Sequence, residues 1–358
     1  MRNGKINSIQ ILRGVACLLV MLSHYQVIVL LTPGDYSTRI HWFDWGASGV
    51  DLFFVISGFI MVHTARNKKP SITTSFEFIK NRAVRILPAY YFWLIVSFAI
   101  GGAMSIFHYE SKTESLVSAL TFIPNIKETA PNYIADDGFY IVRWTLNYEI
   151  YFYLAFSLCL LCANRLRAVL VWAIFSSIIM PLATTGALTL STMGYKFDSV
   201  INMLLTNPIV LEFAMGAVVG TFHDKVNIVS KKAATYALII LTTLLTYALL
   251  SKWLLPFHLL TGLAFSILLA LVVRLNEYVC GFFHKAFITI GNMSFSLYLA
   301  HLPVAYFYRK EFSSLVGGHL SQTLFLVILI ATSLLLGFLS HKYIEIKVGD
   351  RLKQRYAV

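Results

Sequence analysis

Long apolar runs separated by short polar stretches make up most of this chain. A membrane-crossing helix needs about 20 mostly apolar residues, because the hydrocarbon core is about 30 Å thick and each residue rises about 1.5 Å. Ten segments fit this requirement, approximately 9–31, 48–65, 88–107, 141–162, 167–187, 203–222, 233–251, 254–273, 286–307 and 320–341. Inside lipid every backbone polar group must be satisfied internally, so such runs predict helices. The expected fold is an all-α integral membrane protein, a bundle of about ten transmembrane helices. No linker, low-complexity tract or internal repeat divides the chain. Residues 1–358 therefore read as a single membrane domain with no appended soluble domain.

Charge adds orientation to this picture. Of 358 residues only 13% are charged and 58% are hydrophobic, with a mean hydropathy of +0.70. A soluble domain carries about 25% charged residues. The net charge of +12 would suit nucleic acid, but no reading module is present and the positive residues cluster between apolar runs. With the N-terminus placed in the cytoplasm, 20 of the 29 lysines and arginines fall on inner segments. The outer loop 108–140 is acidic, with Glu110, Glu114, Glu128, Asp136 and Asp137 against Lys112 and Lys127. The bias predicts both termini inside. Cys17, Cys159, Cys162 and Cys280 all lie in or beside apolar helices, where packing is the expected role. The first run is too long for a signal-peptide core and lacks a small-residue cleavage site, so it reads as a retained span.

Ionisable residues inside these runs carry the chemistry, because charge is costly in hydrocarbon and persists there for a purpose. Arg13 and His24 share the first span, and eleven steps of about 1.5 Å separate them by about 16 Å. Arg13 falls at the inner end and His24 in the outer half. By the same rise, His24, Asp51, Glu149, Glu212 and His301 all fall within about 5–13 Å of the outer ends of their spans. Five residues from five spans at similar depth point to a shared aqueous cavity. Arg143 is placed above Glu149. On the inner side the stretch Phe76–Pro88 reads FEFIKNRAVRILP. Arg82 and Arg85 share a face if it is helical, and guanidinium pairs suit phosphate, although on spacing alone anchoring to lipid headgroups explains them better. Gly216 and Gly220 form a G-x-x-x-G spacing that suits helix packing. Trp42, Trp45 and Trp144 are candidates to stack on a sugar. No residue set has metal-ligand spacing.

Six segments in order then resemble one family, the membrane-bound acyltransferase family 3 of O-antigen and exopolysaccharide O-acetylase-like proteins. They are IQILRGVACLLVMLSHY, GVDLFFVISGFIM, NRAVRILPAYY, WTLNYEIYFY, EFAMGAVVG and SFSLYLAHLPV. The resemblance implies an O-acetyltransferase of the bacterial inner membrane, moving an acyl group, usually acetyl, from cytoplasmic acyl-CoA to a carbohydrate hydroxyl. The acceptor would be an O-antigen, exopolysaccharide or capsule glycan, free or lipid-linked. Motif matching carries over Arg13, His24, Arg82, Arg85 and Glu149 as functional positions. On physical grounds Arg13, Arg82 and Arg85 would hold the acyl-CoA phosphates. His24 would be general base or acyl carrier, Asp51 would orient its imidazole, and Glu149 would complete the catalytic set. Trp144, Glu212 and His301 would shape the acceptor site or pair structurally. Acetyl-CoA is a donor substrate, and no metal is expected. The rival reading is a transporter or flippase for a lipid-linked sugar or small metabolite, which midplane ionisable residues also suit.

Overall fold

The computed structural model describes residues 6–29, 43–134, 140–225, 229–312 and 319–355. Among them the architecture is helical, with one isolated bridge between Ser191 and His258 and no strand. The helices are α1 (Asn7–Val29), α2 (Gly49–Ala65), α3 (Ile72–Ile100), α4 (Glu110–Thr121), α5 (Arg143–Cys159), α6 (Arg165–Ile174), α7 (Met180–Thr185), α8 (Val200–Leu205), α9 (Ile209–Phe222), α10 (Lys231–Leu250), α11 (Leu259–Arg274), α12 (Asn276–Phe282), α13 (Lys285–Phe312), α14 (His319–Ser340) and α15 (Gly349–Arg355). A π-helical turn, Phe175–Ile179, joins α6 to α7, and a second, His341–Val348, joins α14 to α15.

Every apolar run has a helix, but not every helix is long enough to cross alone. Eight stretches among the described residues have the length and apolarity of a span. The fourth run holds α5, only 17 residues long, and the eighth holds α11, 16 residues long and bent by 89° into α12. The third run begins sixteen residues earlier than the apolar pattern suggests. Ser71 caps α3 by accepting the Thr74 N–H at 3.0 Å, and the helix runs through Arg82, Arg85 and Pro88 without a break. Pro88 has no N–H to offer the Val84 carbonyl one turn back. Gly349 of α15 packs beside that carbonyl.

Small residues set the closest helix pairs. α2 packs most extensively on α9, and α1 on α13. At Gly58 an added Cβ would stand 2.9 Å from the Ala217 nitrogen, and at Gly216 it would stand 3.1 Å from the Phe59 nitrogen. These two helices therefore touch backbone to backbone, as the G-x-x-x-G spacing predicts.

Polar bonds tie the helix termini at one end of the bundle. Arg165, opening α6, donates to the Ala65 and Lys68 carbonyls, and Arg66 pairs with Asp224 just past α9. Asp224 is solvent-exposed, and its carboxyl is held below the usual range by its hydrogen bond to Arg66. The Ser8 N–H donates to Asn276 Oδ1 at 3.0 Å, and Lys231 meets Glu277 at 3.1 Å. The opposite end is stitched through loops instead. There the Thr192 N–H donates to the Phe257 carbonyl, and Asn207 donates to the Thr192 carbonyl at 2.8 Å.

Candidate functional site

Three cavities follow one another along α1, α2, α3 and α13. The first, about 390 Å³, opens at the arginine-rich end, and Lys68, Asn81, Arg82, Arg85, Glu345 and Lys353 line it. The second, about 90 Å³, is lined by Arg13, Arg82, Arg85, Glu149 and Tyr153, with an apolar wall that includes Phe53, Phe54, Ile60 and Met61. The third, about 610 Å³, lies toward the other end, against His24, Gln26, Asp44, Trp144 and His258. Arg82 and Arg85 belong to both the first and second cavities, and Val50 and Tyr298 to both the second and third. A long ligand entering at the arginines would meet His24 only beyond Val50 and Tyr298.

The basic cluster is held from several sides. The Arg82 guanidinium lies 5.3 Å from both the Phe78 and Tyr153 ring centres, in cation–π contact with a pair of rings that are themselves edge-on at 6.0 Å. Tyr153 in turn donates to Glu149. Arg85 Nε stands 3.5 Å from Glu345 Oε1. Glu345 also accepts from the Ser296 hydroxyl at 2.9 Å and bonds His341 Nδ1 at 2.8 Å. Arg13 has Arg85, Glu345 and Glu149 as its charged neighbours. The cluster thus holds three guanidinium groups against two carboxylates, leaving positive charge facing a narrow cavity.

At the third cavity the chemistry is that of imidazole. His24 Nδ1 and His301 Nε2 are 2.8 Å apart, with the rings stacked at 5.1 Å. His301 Nδ1 lies 2.6 Å from the Tyr298 carbonyl. A carbonyl only accepts, so His301 carries its proton on Nδ1. Its Nε2 then accepts from His24 Nδ1–H. In the neutral pair this leaves a lone pair on His24 Nε2, the form a general base needs. Tyr25 fixes the same turn of α13 by donating to the His301 carbonyl at 3.1 Å and bonding Ser333.

The single depth band expected from the sequence resolves into three groups. His24 and His301 form the pair just described. Asp51, expected to orient His24, instead accepts the Phe257 N–H at 3.1 Å and pairs with Glu212. Both carboxyls are buried outside the three cavities, and Glu212 packs on Gly262 of α11. Glu149 joins the arginines rather than the histidines. Rotation about each helix axis, about 100° per residue, separates residues that share a depth. Trp144 does line the third cavity, edge-on to Phe257. Arg143 is buried and donates to the Ser118 hydroxyl at 2.7 Å. Trp42 lies outside the described residues. Among the described residues no group of three or more histidine, cysteine or carboxylate side chains is placed to hold a metal ion.

Tyr153, Tyr298, Ser296, His341 and Glu345 belong to the site but did not stand out in the sequence. Tyr298 and Ser296 lie in SFSLYLAHLPV, with Tyr298 one helical turn before His301, and Tyr153 closes WTLNYEIYFY; His341 and Glu345 fall in none of the six segments.

The acyltransferase-domain family model of the acyltransferase-3 type matches residues 6–342, nearly the whole chain. The chain belongs to the acyltransferase-3 family. An exopolysaccharide production protein, ExoZ of Rhizobium meliloti (strain 1021), is 31% identical over 264 residues, covering 73% of this chain and 77% of that protein. No solved structure matches the chain. This acyltransferase-3 protein is thus a multi-pass helical membrane acyltransferase whose matched region contains Arg13, Arg82, Arg85, His24 and His301, while Glu345 falls just beyond it.

Proposed function

We propose that this acyltransferase moves an acetyl group from cytoplasmic acetyl-CoA to a hydroxyl of a cell-surface carbohydrate, an exopolysaccharide in the first instance. The observation that carries the reading is the arrangement of its cavities: three arginines at one end and a lone-pair-bearing His24 at the other, sharing Val50 and Tyr298 as a wall. The phosphates of the donor bind at Arg82, Arg85 and Arg13, where forked guanidinium hydrogen bonds suit them. The pantetheine arm runs along the apolar wall of the second cavity and brings the thioester to the wall below His24. His24 Nε2 takes the proton of the acceptor hydroxyl as its oxygen attacks the thioester carbonyl. The C–S bond then breaks, and the histidine returns the proton to the departing thiolate. His301 holds the tautomer. Glu149 and Glu345 space the arginines rather than take part in proton transfer.

The same reading sets the topology. The arginine-rich end faces the cytoplasm, in line with the excess of lysine and arginine on the segments between those helix termini. With α5 and α11 counted as crossings, the helices alternate ten times and both termini lie inside a bacterial inner membrane. The likeness to an exopolysaccharide production protein supports a carbohydrate acceptor.

The test is direct. Purified protein in lipid discs is given labelled acetyl-CoA and glycan extracted from cells lacking the gene. Wild-type protein is expected to label the glycan and His24→Ala to lose that activity while keeping its melting temperature. Labelling by His24→Ala at the wild-type rate would refute the assignment.

A further inference from the structure

Tyr298 and Val50 are the two residues that line both the second and the third cavity. The Tyr298 hydroxyl accepts from Thr145 at 3.0 Å and reaches toward the Val142 carbonyl at 3.5 Å, which pins the side chain to the start of α5. Its ring stands edge-on to Phe53 at 6.2 Å. Its carbonyl accepts the His301 Nδ1–H. One residue therefore both forms the wall between the cavities and fixes the imidazole pair beyond it.

The third cavity, about 610 Å³, has room for on the order of 20 waters at about 30 Å³ each. A base that activates a sugar hydroxyl activates water equally well. Water attacking the thioester carbonyl would break the C–S bond and pass its proton through His24 to the thiolate, giving a free carboxylic acid and the CoA thiol. Excluding water is what prevents such wasteful hydrolysis. We infer that Tyr298 and Val50 form a constriction between the two cavities that shields the bound acyl-CoA thioester from the water of the outer cavity until an acceptor hydroxyl enters it, so that they set the ratio of acyl transfer to hydrolysis.

This inference rests on the donor reading above, and the experiment separates the two. Thiol release from acetyl-CoA is measured without any acceptor, and CoA protection against thermal unfolding is measured alongside. Tyr298→Ala and Val50→Ala are expected to release thiol about ten times faster than wild type, because each opens the wall to water. Tyr298→Phe keeps the ring and is expected to release thiol more slowly than Tyr298→Ala, since the ring is what excludes water. CoA is expected to protect all four proteins. Wild-type release rates in both alanine variants, with CoA protection intact, would overturn the constriction. If either alanine variant fails to fold, the other decides alone. Absence of CoA protection in the wild type would overturn the donor reading, and the constriction with it.

Discussion

His301→Phe isolates the imidazole pair, a contact that residue depth along the helices does not reveal. The substitution keeps an aromatic ring in the stack with His24 and removes both ring nitrogens. His24 Nδ1–H then loses its acceptor at 2.8 Å and the Tyr298 carbonyl loses its donor at 2.6 Å. An unsatisfied buried polar group costs about 1–3 kcal/mol, so the melting temperature is expected to fall measurably without loss of the fold. The larger effect is on the tautomer. With nothing to accept from Nδ1, the His24 proton is free to sit on Nε2, where it blocks the base. In a hydrolase triad, replacing the orienting residue so that the tautomer is wrong costs about 10⁴ in kcat. A fall in kcat of about 10²–10⁴ is therefore expected here, between the loss of one hydrogen bond and full tautomer inversion. The arginines lie in other cavities, so the KM for acetyl-CoA is expected to change by less than about threefold, the signature of an interaction made at the chemical step. The assay is the initial rate of label transfer from acetyl-CoA to glycan from gene-deleted cells, across donor concentrations. His301→Gln offers a carbonyl to His24 Nδ1–H and is expected to recover much of the loss. The His24→Ala, His301→Phe double variant is expected to be no worse than His24→Ala alone, because the two act as one unit. A His301→Phe enzyme with kcat within about threefold of wild type would refute the tautomer argument.

Other expectations concern the donor end and the frame. Arg85→Ala should raise the KM for acetyl-CoA by about 10- to 100-fold, from the loss of one or two charge-assisted hydrogen bonds of about 1.5–3 kcal/mol; an unchanged donor dependence in steady-state rates would remove Arg85 from phosphate binding. Gly58→Ala puts a methyl 2.9 Å from the Ala217 nitrogen across the α2–α9 contact, and overpacking of this kind costs about 1–3 kcal/mol. The expected result is a lower midpoint of thermal inactivation in detergent, and an unchanged midpoint would show that the two helices can part without cost.

Helix existence was legible because hydrocarbon tolerates little else, and each apolar run does hold a helix. Helix ends were less legible where function intervenes. Lys80, Arg82 and Arg85 made the start of α3 look like a loop, yet the helix persists because two of those charges face cavities and Ser71 supplies the cap. The rise along a helix gave the depth of His24, Asp51, Glu149, Glu212 and His301. Depth without rotation cannot say which of them meet, and so Asp51 was paired with the wrong neighbour. The His24–His301 contact needs α1 and α13 to pack side by side, a fact held in the burial of Gly291 against Gln10 rather than in the histidines. Glu345 lies beyond the last apolar run, which ends near residue 341. The widened turn His341–Val348 carries it back against Arg85 and Ser296.

The walls of the outer cavity differ in kind from the rest of the site. The arginines, Glu149 and both histidines sit on long packed helices, whereas Asn132, Ser191, Met193 and the run from Leu255 to His258 reach the cavity from connecting segments. Loops accept insertions and substitutions that packed helices do not. On the reading proposed here, the half of the site that meets the donor is locked into the frame, and the half that meets the glycan is free to drift. New surface polymers could then be recruited as acceptors by rewriting a few loop residues while the transfer machinery stays as it is, a division of labour that would let one scaffold follow changing coats from strain to strain.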